Sequence, residues 1–293
     1  MTKTELLSEK ITEKSREKIG RFFDGLGVRR TSLGRTLLSR DIDMYRVGDS
    51  GRAVLYVGAH HALEAITENV LYAMLYDIAL SHPSKNIKGI NLGFLLQKFT
   101  FYIVPALNLD GIAIANGEGR DNILCERQRK ICGGNFAVWQ ANARGVDLNH
   151  NYSAGFFEYK KKEREAGIYA APSKYSGEYP ESEPEVCALA NLVRILSPSL
   201  VVSLHTQGSE VFYFPDTKRV GRIASGFAAE CGYKISKPVG SARYGGLCDY
   251  TGSLGIPSLT VELGLGENPL PISFAEPIYS RVGASLITLP TRL

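Results

Sequence analysis

The chain has 293 residues, 44% of them hydrophobic and 22% charged, with a net charge of +4. This is ordinary globular composition, and the length allows a large core without disulfide staples. A disordered chain is excluded, and so is a helical membrane protein, since no apolar run reaches the roughly 18 residues a span requires.

The charge is spread along the chain. Its densest run, Lys160-Lys161-Lys162-Glu163-Arg164, reads as a solvated loop, and with no nucleic-acid motif beside it no nucleic-acid partner is expected. Five cysteines (125, 132, 187, 231 and 248) are an odd number without framework spacing, which predicts free thiols. Residues Met1 to Lys10 lack the apolar core of a signal peptide, so a cytoplasmic location is expected.

In chain order, residues 4–24 carry Leu6, Leu7, Ile11, Ile19, Phe22 and Phe23 at loosely helical spacing, predicting a surface helix. Residues 1–45 read as a helical or extended addition to a single domain spanning 1–293. Val54–Val57 is a short β-rich run, followed by a helical stretch from Ala62 to about Leu80 that ends at His82-Pro83. A strand is predicted over 99–105, then a long irregular segment over 110–182. Glu183-Pro184-Glu185 marks a helix start, and Ser197-Pro198 its end. A strand at 200–204, a helix through 224–230, a strand at 258–262 and a helix over 274–287 complete the pattern. Such alternation predicts an α/β fold, a central mixed but mostly parallel sheet with helices on both faces. Ligands of such sheets bind beyond the carboxyl ends of strands.

Three polar residues sit at those ends. His61 closes one apolar run and has Glu64 three residues on; His205 closes another, and Glu262 ends a third. Two His and one Glu form a catalytic zinc set, because three protein ligands leave a fourth position for water. His60 has no carboxylate at the same offset and reads as a structural or supporting histidine. A carboxylate flanked by apolar residues, as Glu262 is, costs too much to bury without a partner and suits a general base. In the polar segment from Asn142 to Tyr152, Arg144 could stabilise a developing oxyanion, and Asn149 could hydrogen-bond a substrate carboxylate.

These residues belong to an ordered series: His61-x-x-Glu64; Pro105-x-x-Asn108-x-Asp110-Gly111; Gly145-Val146-Asp147-Leu148-Asn149; His205; Thr260-Val261-Glu262. The series resembles the M14 (carboxypeptidase A-like) zinc carboxypeptidases over roughly residues 50–288. Within that family the segments Trp139–Asn149, Tyr175–Glu185, His205–Gly208 and Gly266–Pro271 are similar to bacterial γ-D-glutamyl-diaminopimelate peptidases. The resemblance implies one zinc ion held by His61, Glu64 and His205, with Glu262 as general base and then acid. It implies that Arg144 polarises the carbonyl, that Asn149 holds a substrate carboxylate, and that a mobile tyrosine acts near the site. Tyr244, in a Gly-rich stretch, suits that last role better than Tyr250, whose position in relatives often packs.

Two positions depart from the family pattern. His150 stands where many members carry an Arg that anchors the terminal carboxylate, and an imidazole is a weaker, pH-dependent anchor. In relatives the position of Cys248 lines the floor of the leaving-group pocket, and a Lys is common there in the murein peptidases; Arg243 could compensate from the adjacent loop. The expected partner is a small peptide derived from the cell wall. Two rival readings are a zinc deacylase of N-acyl amino acids and a non-catalytic binder of murein peptides.

Overall fold

The uninterrupted apolar runs of the sequence form the centre of an eight-stranded sheet in a computed structural model that describes residues 1–49, 51–118, 122–237 and 244–293. The elements follow as α1 (Lys3–Ser8), α2 (Glu13–Gly25), β1 (Arg29–Arg35), β2 (Asp41–Val47), β3 (Ala53–Val57), α3 (Ile66–Leu80), β4 (Asn86–Ile87), β5 (Ile90–Asn91) and α4 (Leu92–Lys98). Then come β6 (Thr100–Val104), α5 (Leu109–Ala115), α6 (Cys125–Ile131), α7 (Phe156–Glu165), α8 (Pro184–Leu196), β7 (Leu200–Thr206) and β8 (Glu210–Phe214). The chain closes with α9 (Lys218–Cys231), β9 (Lys234–Ile235), α10 (Leu247–Ser253), β10 (Ser258–Leu263) and α11 (Ala275–Thr288).

The sheet order is β1-β2-β6-β3-β7-β10-β8-β9. Neighbours from β6 through β3 and β7 to β10 are parallel, while β1, β2 and β8 join antiparallel. Every residue of β3 and β7 is buried, as expected of parallel strands covered on both faces. Successive side chains alternate between faces. Val54 and Tyr56 therefore enter one core, with α3, α9 and α11, while Leu55 and Val57 enter another, with α5, α8, Trp139 and Tyr152. Each core supplies one wall of helices, and the strand ends between them are left for the site.

Several elements differ from the sequence expectations. The single helix expected over 4–24 is two, α1 and α2, each opened by its own threonine cap, Thr2 and Thr12. Residues 29–47 form a hairpin that joins the main sheet through β2 and β6. Its edge strand β1, Arg-Arg-Thr-Ser-Leu-Gly-Arg, has no buried residue, so no apolar alternation betrays it. The segment 110–182 is not irregular throughout, for it carries α6 and α7. The lysine-rich run lies within α7, where Phe156, Tyr159 and Glu163 make a buried stripe at helical spacing. Lys160 there binds Glu163 and the Gly177 carbonyl and sits 4.5 Å from the Tyr175 ring centroid. Among the described residues no helix is long and apolar enough to cross a membrane. The five cysteines are unpaired.

Near the start of α8, Glu185 is fully buried and its Oε1 has no hydrogen-bond partner among the described residues. Burial, with Asp110 and Glu183 adding to it, raises its pKa from 4.5 to about 8. Between those values the folded chain holds a proton that the unfolded chain has lost, so stability falls as pH rises through this window. Glu185→Gln is expected to remove that slope. Urea unfolding should show the variant more stable than the parent at pH 8, by on the order of 4 kcal/mol, and about equal to it at pH 4.

Candidate active site

The site begins where β3 ends. A Cβ on Gly58 would lie 2.5 Å from the Pro105 carbonyl oxygen, so the close approach of the β3 and β6 ends requires glycine there. Ala59 adopts a left-handed φ of 46°, with its N–H donating to Thr67 Oγ1, and turns the chain off the strand. Asn108 Nδ2 donates to the carbonyls of His60 and Gln140, which ties this turn to the loop before Asn142. A 3₁₀ turn over Ala62–Glu64 then carries Glu64 back beneath His61.

His61, Glu64 and His205 converge. One donor atom from each lies within 4.8 Å of the others. Nδ1 of His61 is 2.9 Å from Glu64 Oε1, and Nδ1 of His205 is 2.9 Å from Glu64 Oε2. The outer nitrogens are held from behind: His61 Nε2 lies 3.1 Å from Asp147 Oδ1, and His205 Nε2 lies 3.0 Å from Ser203 Oγ. Both imidazoles thus turn Nδ1 inward, the arrangement in which a ligand histidine is fixed through its other nitrogen. Burial opposes charge on His61, but Glu64 and Asp147 outweigh it and hold its pKa well above the usual range. Burial would raise Glu64, yet the two imidazoles bring it down to about 2. A nitrogen–oxygen–nitrogen donor set with one carboxylate, three convergent atoms and fixed rings fits zinc.

Glu262 lies directly opposite His205 in the parallel β7–β10 register. Burial, then the neighbouring Glu64, push its pKa well above the carboxylate range, while His61 pulls the other way. Its carboxylate has no hydrogen-bond partner among the described residues and lines the same cavity, of about 200 Å³, as the His–Glu–His cluster. Asn149, His150 and Cys248 line that cavity too. Asn149 Oδ1 accepts from the Leu247 N–H at 3.1 Å, which leaves its amide NH2 for a ligand. His150 stacks on Tyr159 at 3.7 Å and its Nδ1 donates to the Tyr244 carbonyl; burial lowers its pKa. Cys248 Sγ lies 3.0 Å from Thr260 Oγ1, and burial pushes the thiol up to about 11.

The sequence profile of the Peptidase_M14 zinc carboxypeptidases matches residues 27–268. The chain belongs to this family. It is 31% identical to gamma-D-glutamyl-L-diamino acid endopeptidase 1 of Lysinibacillus sphaericus over 85% of its own length and 64% of that protein's. It therefore spans just under two thirds of that relative. It is 27% identical to the protein YqgT of Bacillus subtilis, covering 96% of this chain and 76% of that one. Among solved structures, bovine thrombin-activatable fibrinolysis inhibitor superposes with a TM-score of 0.76 at 20% identity, over 97% of both chains. Murein-tripeptide amidase MpaA of Escherichia coli O157 does so with a TM-score of 0.55 at 20% identity, over 88% of this chain and 91% of that one. These likenesses confirm the zinc carboxypeptidase fold.

In this M14 chain some expected site residues stand elsewhere. Arg144, expected at the scissile carbonyl, is not brought to the cleft. Its Nη1 lies 3.5 Å from Glu183 Oε1, and it lines a separate small cavity with Arg127 and Tyr175. The cause is local: Asn142 Oδ1 accepts the N–H groups of Arg144 and Val146, and Gly145 at φ 83° closes a tight turn. The Tyr244 ring lies under the Lys162 ammonium, 4.6 Å from it, and does not line the cavity. Tyr250 is packed, its hydroxyl accepting from Arg194 at 2.7 Å. Arg243 lies outside the described residues. His60 is buried with Nε2 3.0 Å from the Tyr152 hydroxyl and is not in the metal cluster, as its spacing implied. Sequence reasoning missed Asp147 as the residue behind His61; its place inside the Gly145–Asn149 marker was the available signal. It also missed Gln140, Lys174, Phe212 and Phe214 in the cavity wall.

Proposed function

We propose that the chain is a zinc peptidase that hydrolyses the amide joining γ-D-glutamate to diaminopimelate in murein peptides. The observation that carries the reading is Glu262, unpartnered and facing the same cavity as the His61–Glu64–His205 donor set. The named activities of the Lysinibacillus relative and the Escherichia coli amidase supply the substrate class.

When bound, zinc would supply a Lewis acid for charge that develops on the scissile carbonyl. Glu262, its proton affinity raised by burial, accepts the proton of the attacking water and delivers it to the leaving amine. Asp147 and Ser203 hold the two imidazoles in place. The Asn149 amide donates to a carboxylate of the leaving residue, whose side chain enters the arm lined by Cys248, Thr260 and Phe212. Among the described residues that arm has no cation lining it, and a buried neutral His150 cannot grip a terminal carboxylate as a forked Arg would. We therefore infer that cleavage is set by the γ-D-glutamyl linkage and does not depend on a strict chain-terminal anchor.

The test is a side-by-side assay of the zinc-loaded protein on L-Ala-γ-D-Glu-meso-diaminopimelate, its Lys analogue and an N-acyl amino acid. Turnover of the first supports the reading. Turnover of the N-acyl amino acid alone would favour the deacylase, and turnover of none would favour a binder.

A further inference from the structure

The cavity has two chemically different ends, and strand order separates them. Across the carboxyl ends of the sheet, His61 follows β3, His205 ends β7, Glu262 ends β10, and Phe212 belongs to β8. The β8 end carries Phe212, Phe214 and Cys248, with Thr260 and the acidic Asp249 beside them and no cation among the described residues. The β3 end is formed by Gln140 and Lys174. Gln140 is fastened there because its carbonyl accepts from Ala62, next to His61, and its N–H donates to the Pro172 carbonyl. Lys174 holds a left-handed φ of 67°. Its N–H donates to Asp147 Oδ2 at 2.9 Å, and its carbonyl accepts from the Tyr159 hydroxyl at 3.0 Å. The other Asp147 oxygen faces His61 Nε2, so one carboxylate sets both the ligand imidazole and the lysine backbone. A bulky residue held in this backbone region is strained, and such strain concentrates at functional sites. The Lys174 ammonium has no hydrogen bond or ion pair among the described residues, and among the described residues lining the cavity it is the only lysine or arginine.

We propose that Lys174, with the Gln140 amide beside it, binds the free α-carboxylate of a γ-linked glutamyl residue on the acyl side of the scissile bond. This rests on the γ-glutamyl reading and gives it a residue. In a γ-linked glutamyl amide the reacting carbonyl belongs to the side chain, so the residue's own carboxylate remains ionised a few bonds away. An ordinary α-peptide carries an amide at its backbone carbonyl and offers a nearby anion only where the acyl residue is itself Asp or Glu. A cation at the β3 end, opposite a leaving-group arm without one among the described residues, therefore favours a γ-linked glutamyl residue over a neutral α-linked one. Lys174 acts here as a specificity determinant.

The experiment compares two substrates, the γ-D-glutamyl tripeptide and its γ-D-isoglutaminyl counterpart, whose α-carboxylate is replaced by carboxamide. Zinc-loaded parent, Lys174→Met and Lys174→Arg are assayed on both, because a site built for an ion discriminates against an analogue that lacks it. The parent should prefer the carboxylate by about tenfold or more in kcat/KM, mostly through KM, since binding a remote charge acts on ground and transition states alike. Lys174→Met should collapse that preference toward unity, and Lys174→Arg should restore most of it. Equal use of both substrates by the parent, or an unchanged preference in Lys174→Met, would overturn the assignment of Lys174 while leaving γ-glutamyl hydrolysis standing. Hydrolysis of neither substrate by the parent would overturn both.

Discussion

Glu262→Gln should lower kcat by about a thousandfold while the protein keeps its full zinc content. The expectation follows from the placement of this carboxylate. It lies opposite His205 in the register, faces the cavity, and has no partner among the described residues that would assign it a structural role. Glutamine preserves the shape and removes the ability to take a proton. It also relieves the repulsion between Glu262 and Glu64, so folding should not suffer. Near-normal turnover in the variant, measured beside metal content in the same preparation, would remove Glu262 from the reaction.

The second large effect is expected at the donor set. His61→Ala should leave no zinc on the protein after dialysis, because two donors do not hold the ion against buffer. Asp147→Asn should weaken zinc affinity by roughly 10–100-fold, as a change behind a ligand does, rather than abolish it. Competition with a chelating dye gives both affinities. The graded order separates a ligand from the residue that orients it: Asp147 touches His61 through Nε2, whereas Nδ1 faces the cluster. Equal losses in the two variants would mean that Asp147 is itself a ligand or that the fold has changed.

The parts of the site that lie on buried parallel strands were legible in the sequence. Such strands are mostly apolar, so a charged or imidazole side chain at or just beyond their carboxyl ends stands out, as His61, His205 and Glu262 do. Glu64 was legible by its spacing from His61. What was not legible lies where side-chain hydrogen bonds, not periodicity, set the path. Arg144 fits the expected role by position, but the turn built on Asn142 directs it to Glu183. Asp147 looked like one residue of a marker; its meaning depends on a contact across 86 residues. Lys174 sits in a stretch of turns and bends with no pattern, and only the fold brings it to the cavity. The polar strand β1 gave no signal because an exposed edge needs no apolar face.

Under the proposed function the site cuts one bond, the amide between γ-D-glutamate and diaminopimelate. The most direct measurement is the mass of the products when the zinc-loaded protein acts on L-Ala-γ-D-Glu-meso-diaminopimelate in 18O-labelled water. The expected products are L-Ala-D-Glu carrying one heavy oxygen and unlabelled free diaminopimelate. Release of free alanine, or recovery of the intact tripeptide, would contradict it.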